Sequence, residues 1–333
     1  MRDAAVVLHQ LLMGQWSTLA ACVVPPLLAW LAVRAAQPVF VRMERDPAWL
    51  ASAAAAALCA PGALVCWYAV RVVIGAFATA APMPWWHGLV SESAPIVTVA
   101  PVVAFALVVR AAVRFVGRVV EVARLRRSTL APSQRLAQIA AQFGVTARTL
   151  PCDEAVCFLI GIVQPVVVVS SGTLAQLDDE QLAAAVLHER AHRERHDVLW
   201  AAVVAFSLDC APLPLGATLE TYRRARELAA DRSAVREIAP DTLAAALIVL
   251  ARAALRAPAL RSPALVHTAS LSATAALPTR LNALLTPQLQ DAGAAMRRAA
   301  VTLLLAALAL LAMYRAASMA AGLALMQAYG IIS

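Results

Sequence analysis

The chain has 333 residues, of which 62% are hydrophobic and 14% charged, with a mean hydropathy of +0.72. That is too apolar for an ordinary soluble protein of this length. The formal charge of +8 is carried by arginine alone, spread along segment ends rather than interleaved with aromatics; this fits membrane-topology charges and argues against direct nucleic-acid binding. The six cysteines are scattered. Cys22, Cys59 and Cys66 sit in apolar runs as small hydrophobes, and Cys152 and Cys157 have no second pair to form a metal site with.

Four stretches are long and apolar enough to span a bilayer: about Trp16 to Val33, Trp49 to Ala80, Pro95 to Val113 and Ala299 to Met326. The first is not a convincing signal peptide, since its basic start is one arginine and no clear small-residue cleavage site follows. Loop charge sets the expected orientation. Arg34, Arg42 and Arg45 follow the first span, and Arg114, Arg118, Arg124, Arg126 and Arg127 lie at or beyond the end of the third. Arg297 and Arg298 precede the fourth, whereas the loop containing Trp85 and Trp86 has no basic residue. By the positive-inside rule the N-terminus is outside and residues 118–298 are cytoplasmic. Arg71 and Arg315, inside spans, read as snorkelling.

Within 118–298, "SQRLAQIAAQFGV" predicts an amphipathic helix ending near Gly144. "ARTLP", "CFLIG" and "PVVVVSS" predict short strands of a small sheet, with the last (Pro165 to Ser171) as an edge strand open to an extended peptide. "DDEQLAAAVLHERAHRERH" predicts a helix with an acidic start suited to the positive end of its dipole. His188 and His192 fall one turn apart on it, spaced to hold one zinc ion at about 2.0–2.1 Å. Glu189 beside them can accept a proton from a zinc-activated water. The third ligand has two candidates. His196 is four residues further on, but three histidines on one straight helix spread over two turns. On the next predicted helix, "RARELAADRSAV", Glu227 can complete a His/His/Glu site and Asp231 can accept a hydrogen bond from a ligand imidazole. The apolar segment 198–216 between them cannot cross the bilayer, because His188 and Glu227 would then lie on opposite sides. It lies at the interface, turns back or packs on the domain, with Pro212 and Pro214 supplying the break. Residues 257–285 predict a loop containing His267 and then a short helix.

These motifs resemble the BlaR/MecR-type membrane metallopeptidases: the Gly161-to-Pro165 turn, the hydrophobic strand, the Gly172-Thr-Leu segment, HExxH at His188 to His192, and ExxxD at Glu227 to Asp231. The resemblance spans nearly the whole chain. It implies a mainly α membrane protein with about four transmembrane helices and a cytoplasmic α+β gluzincin-like domain with a small sheet. The division expected is 1–117 membrane, 118–298 peptidase, and 299–333 a last span and tail. It implies one Zn2+ per chain on His188, His192 and Glu227, with Glu189 as catalytic base. It implies a multi-pass inner-membrane protein in contact with the lipid bilayer, with a membrane partner or oligomer open. The substrate it implies is a cytoplasmic protein such as a BlaI/MecI-like winged-helix repressor. The sequence ends about seven residues after the fourth stretch without the penicillin-binding sensor of those receptors, so β-lactam sensing by that route is not expected. Alternative expectations are a CAAX-endopeptidase or HtpX-like housekeeping peptidase, similar in HExxH and ExxxD but usually with two spans between them, and a catalytically silent signalling protein.

Overall fold

A computed structural model describes residues 27–36, 46–78, 96–256, 269–270 and 277–286. The expected fourth span, the Trp85–Trp86 loop and His267 lie outside them. The described chain is mainly helical with one small sheet. Its elements are α1 (Leu27–Ala36), α2 (Pro47–Ala78), α3 (Ile96–Arg127), α4 (Gln134–Gln142), β1 (Ala147–Leu150), β2 (Cys157–Ile160), β3 (Val166–Ser170), α5 (Ser171–Gln176), α6 (Asp179–Glu194), α7 (Asp197–Cys210), α8 (Gly216–Ala234), α9 (Pro240–Arg256), β4 (Ala269–Ser270) and α10 (Leu277–Leu285). The helix α9 was not expected from sequence. Among the described residues one stretch, Pro47–Cys66 of α2, is long and apolar enough to cross a membrane.

The sheet order is β1-β3-β2-β4, with β3 parallel to β1 and antiparallel to β2, and β2 antiparallel to β4. The expectation that Pro165 to Ser171 forms an edge strand is therefore wrong: β3 is interior, with Val167 opposite Ala147 on one side and Leu159 on the other. The physical reason is visible in its composition. An edge strand with a wet face alternates, but all five residues of β3 are buried, which is the pattern of a strand covered on both faces. Val167 and Val169 pack with Leu136 of α4, Leu182 and Val186 of α6 and Leu250 of α9. Val166 and Val168 pack on the opposite face with Val122 and Leu125, near the end of α3. Gly172 closes the turn after β3; a Cβ there would stand 2.0 Å from the Asp153 carbonyl oxygen.

A second core joins the helices. Leu50, Ala54 and Leu58 of α2 pack with Val204 of α7 and Tyr222 and Ala225 of α8. Accordingly 44% of the membrane-like stretch of α2 is buried inside the protein. The apolar 198–216 segment is mostly α7, which turns back against α2 and α3 before Pro212 and Pro214. Two contacts fix it. Gly62 of α2 admits Ser207 so closely that the Ser207 hydroxyl is shared between the Leu58 and Cys59 carbonyls at 3.1 and 3.0 Å. At the end of α7, Arg114 of α3 lies 2.8 Å from Asp209 Oδ1, Arg118 pairs with its other oxygen, and Arg110 donates to its carbonyl at 2.7 Å. Cations at a helix C-terminus also meet the negative end of its dipole.

Candidate metal centre

The helix α6 begins with a capping box: the Asp178 side chain accepts from Gln181 N–H, and the Gln181 side chain accepts from Asp178 N–H. Asp179 and Glu180 fill the first turn. The helix then buries Leu182, Val186 and Leu187, and with them the polar face bearing His188, Glu189 and His192. Facing it is α8, whose buried Ala234 packs with Ala184 and Leu187 of α6. That packing brings Glu227 and Asp231 onto the histidines.

His188, His192 and Glu227 converge: one ligand atom from each lies within 4.8 Å of the others. The two imidazole Nε2 atoms are 3.1 Å apart. Glu227 Oε2 lies 3.5 Å from His188 Nε2, and Oε1 lies 3.6 Å from His192 Nε2. Behind each ring stands a carboxylate. His192 Nδ1 donates to Asp197 Oδ2 at 2.7 Å, and His188 Nδ1 lies 2.9 Å from Asp231 Oδ1. An ionised carboxylate only accepts, so the proton of each neutral ring is on Nδ1 and both Nε2 lone pairs face inward. Two such lone pairs 3.1 Å apart repel unless a proton or a cation lies between them. Burial opposes charge on His188, but Asp231 and Glu227 outweigh it and raise its pKa to about 9. A metal ion held by these two nitrogens would take the place of that proton.

Glu189, Glu227, Asp231 and Asp197 are buried, and the buried guanidinium groups among them are those of Arg226 and Arg280. With the proton on His188 and a protonated Glu189, the charges balance, and a cation held by the histidine pair would take the place of the His188 proton. Burial would push Glu227 up, yet His192, His188 and Arg280 hold it well below the usual carboxylate range. Asp231 is likewise held low, mainly by Arg280. Glu189 differs. Neither of its carboxylate oxygens has a hydrogen-bond partner, and burial pushes its pKa up to about 8.

The chain matches one protein family over residues 16–284, described as BlaR1 peptidase M56. That covers most of its length. The chain belongs to the BlaR1 peptidase M56 family. Among curated proteins, none matches. Membership makes it a member of a membrane-associated family of metallopeptidases, and His188, His192 and Glu227 are residues that could hold the metal.

Every residue singled out for the site except His196 is in the cluster. His196 is exposed and left-handed (φ 55), at the joint between α6 and α7, outside the cluster. Three contributors were missed. Asp197 follows the motif directly, but its role depends on the turn made at His196. Arg226 adjoins Glu227 and lies 3.4 Å from its Oε1. Arg280, on α10, is tied to no motif by spacing, and only the tertiary fold brings it in.

Proposed function

We propose that this protein is a membrane-embedded zinc endopeptidase of regulatory type that cuts a cytoplasmic protein, the best candidate being a dimeric winged-helix repressor. The observation that carries the reading is the inward-facing His188–His192 pair beside Glu227, with an unpaired Glu189 carboxylate next to it, in a chain of the M56 family. His188 and His192 would hold zinc through Nε2 and Glu227 through its carboxylate. Two imidazoles, one carboxylate and an open position form the donor set of a catalytic zinc site. When bound, zinc supplies Lewis acidity, lowering the pKa of a water toward about 7 and polarising the scissile carbonyl. Glu189 is the proton carrier. Its free carboxylate takes a proton from the attacking water and gives it to the leaving amine. Asp197 and Asp231 hold the rings in the tautomer that leaves Nε2 free.

The arginine-rich loops support a cytoplasmic site, with the N-terminus outside and four spans in the inner membrane. With β3 in the sheet interior and Leu130 bonded to Thr149 along the outer edge of β1, a substrate adding as a strand would use the β4 side of the sheet. Two measurements test the proposal. Purified protein binds one zinc; Glu227→Ala and His192→Ala lose it, while Glu189→Gln keeps it and loses about 100- to 10,000-fold of peptidase activity. In cells, induction removes the intact repressor with the wild type and not with Glu189→Ala. Equal persistence of the repressor in both strains would replace the regulatory reading with a housekeeping peptidase.

A further inference from the structure

Arg280 is the largest of the fully buried side chains among the described residues. It enters the site from α10, 49 positions after Asp231. Its Nε and Nη2 donate to Asp231 Oδ2 and Oδ1 at 2.7 and 2.6 Å, a two-pronged fork on one carboxylate. Its Nη1 lies 3.2 Å from Glu227 Oε2. Arg226 stands on the other oxygen of Glu227, so the carboxylate has a guanidinium group at each side. One side chain on a distant short helix therefore touches both the acid behind His188 and the acid beside both histidines.

We infer that Arg280 is a positioning residue of the metal centre, acting through Asp231 on the ring of His188 and directly on Glu227. The inference rests on reading the cluster as a zinc site. A carboxylate that anchors an imidazole can rotate about its own bond. The fork removes that freedom, because both Asp231 oxygens are engaged in one plane, and so sets the direction from which His188 is held. Docking of α10 does not by itself require an arginine. Leu277 and Leu284 pack with Leu243 and Leu247 in an apolar cluster that serves that purpose. Burying a guanidinium group is costly unless its partners are fixed, and an apolar side chain is usually no worse for stability. An arginine here makes sense for what it does to Asp231 and Glu227. It also makes α10 part of the site, since residues 216–234 alone supply the acids without the group that orients them.

The test uses full-length protein in detergent, titrated with zinc against a chelator. Arg280→Gln weakens zinc binding about 10- to 100-fold, the usual effect of losing a group that orients a metal ligand. Arg280→Lys, which keeps the buried charge and guards against misfolding of the first variant, recovers only part of the affinity, because an ammonium group cannot fork. Combining Arg280→Gln with Asp231→Asn costs less than the sum of the two single losses. Cobalt in place of zinc gives visible bands that shift in the Arg280 variants, a change that a role confined to docking α10 does not produce. Unchanged zinc affinity and unchanged cobalt bands in both variants would overturn the inference, as would strictly additive losses. Wild-type protein that binds no zinc would overturn the zinc reading and this inference together. Wild-type binding with indifferent Arg280 variants would overturn the role of Arg280 alone.

Discussion

Each imidazole of the HExxH pair has its own carboxylate, and the two come from different elements. Asp231 reaches His188 from α8, one turn beyond Glu227, whereas Asp197 reaches His192 from the first residue of α7. The Asp231 contact was legible in the sequence, because helical spacing puts residues four apart on one face. The Asp197 contact was not, because five residues separate it from His192 and the intervening backbone leaves the helix at His196. Arg226 and Arg280 were equally hidden: a buried cation answers to the charge around it after folding and follows no sequence spacing. We expect Asp197→Asn and Asp231→Asn each to weaken zinc binding about 10- to 100-fold in a chelator competition. An affinity unchanged in both would mean that the rings are held by packing alone. His196→Ala, at an exposed position outside the cluster, leaves zinc affinity as it was.

At the scale of elements, pattern told helix from strand but not a strand's place in the sheet. The valine run of β3 has no alternation, and that absence was the signal for a covered centre rather than an open edge. The helices α4 and α6 followed their caps, and α8 the spacing of its ExxxD residues. The helix α7 was ambiguous because its apolar length suits lipid as well as protein. Its joints can be tested. His196→Gly removes the cost of a left-handed non-glycine residue and stabilises the protein by about 1 kcal/mol, read as a rise in the thermal midpoint. At Gly62 the reverse holds. A Cβ would stand 2.1 Å from Ser207 Oγ and 2.7 Å from its Cα. Gly62→Ala therefore drives α7 off α2 and costs about 1–3 kcal/mol; a variant as stable as wild type would show that the two helices are less tightly joined than this.

Across the whole molecule, the expected orientation places Pro47 of α2 and Arg127 of α3 toward the cytoplasm. Reporter fusions after Gly88 should read as extracytoplasmic, and fusions at Ser133 and Leu265 as cytoplasmic. Opposite readings at Ser133 and Leu265 would break the four-span arrangement. The same helix that looks most like a membrane span, α2, buries its first half against α7 and α8, the latter carrying Glu227. That contact has a consequence for how the protein is made. The Ser207 hydroxyl that bonds to Leu58 is encoded 149 residues later. At roughly 5–20 residues per second, a ribosome needs about 7 to 30 seconds to deliver it. Throughout that interval the face of α2 that later meets α7 and α8 lacks those two partners, having only α1 and α3 beside it, and lipid is the apolar solvent on hand. The first half of α2 is thus expected to be lent to the membrane during synthesis and reclaimed by the peptidase domain once α7 and α8 emerge, so that the active site cannot form before the chain is mostly complete.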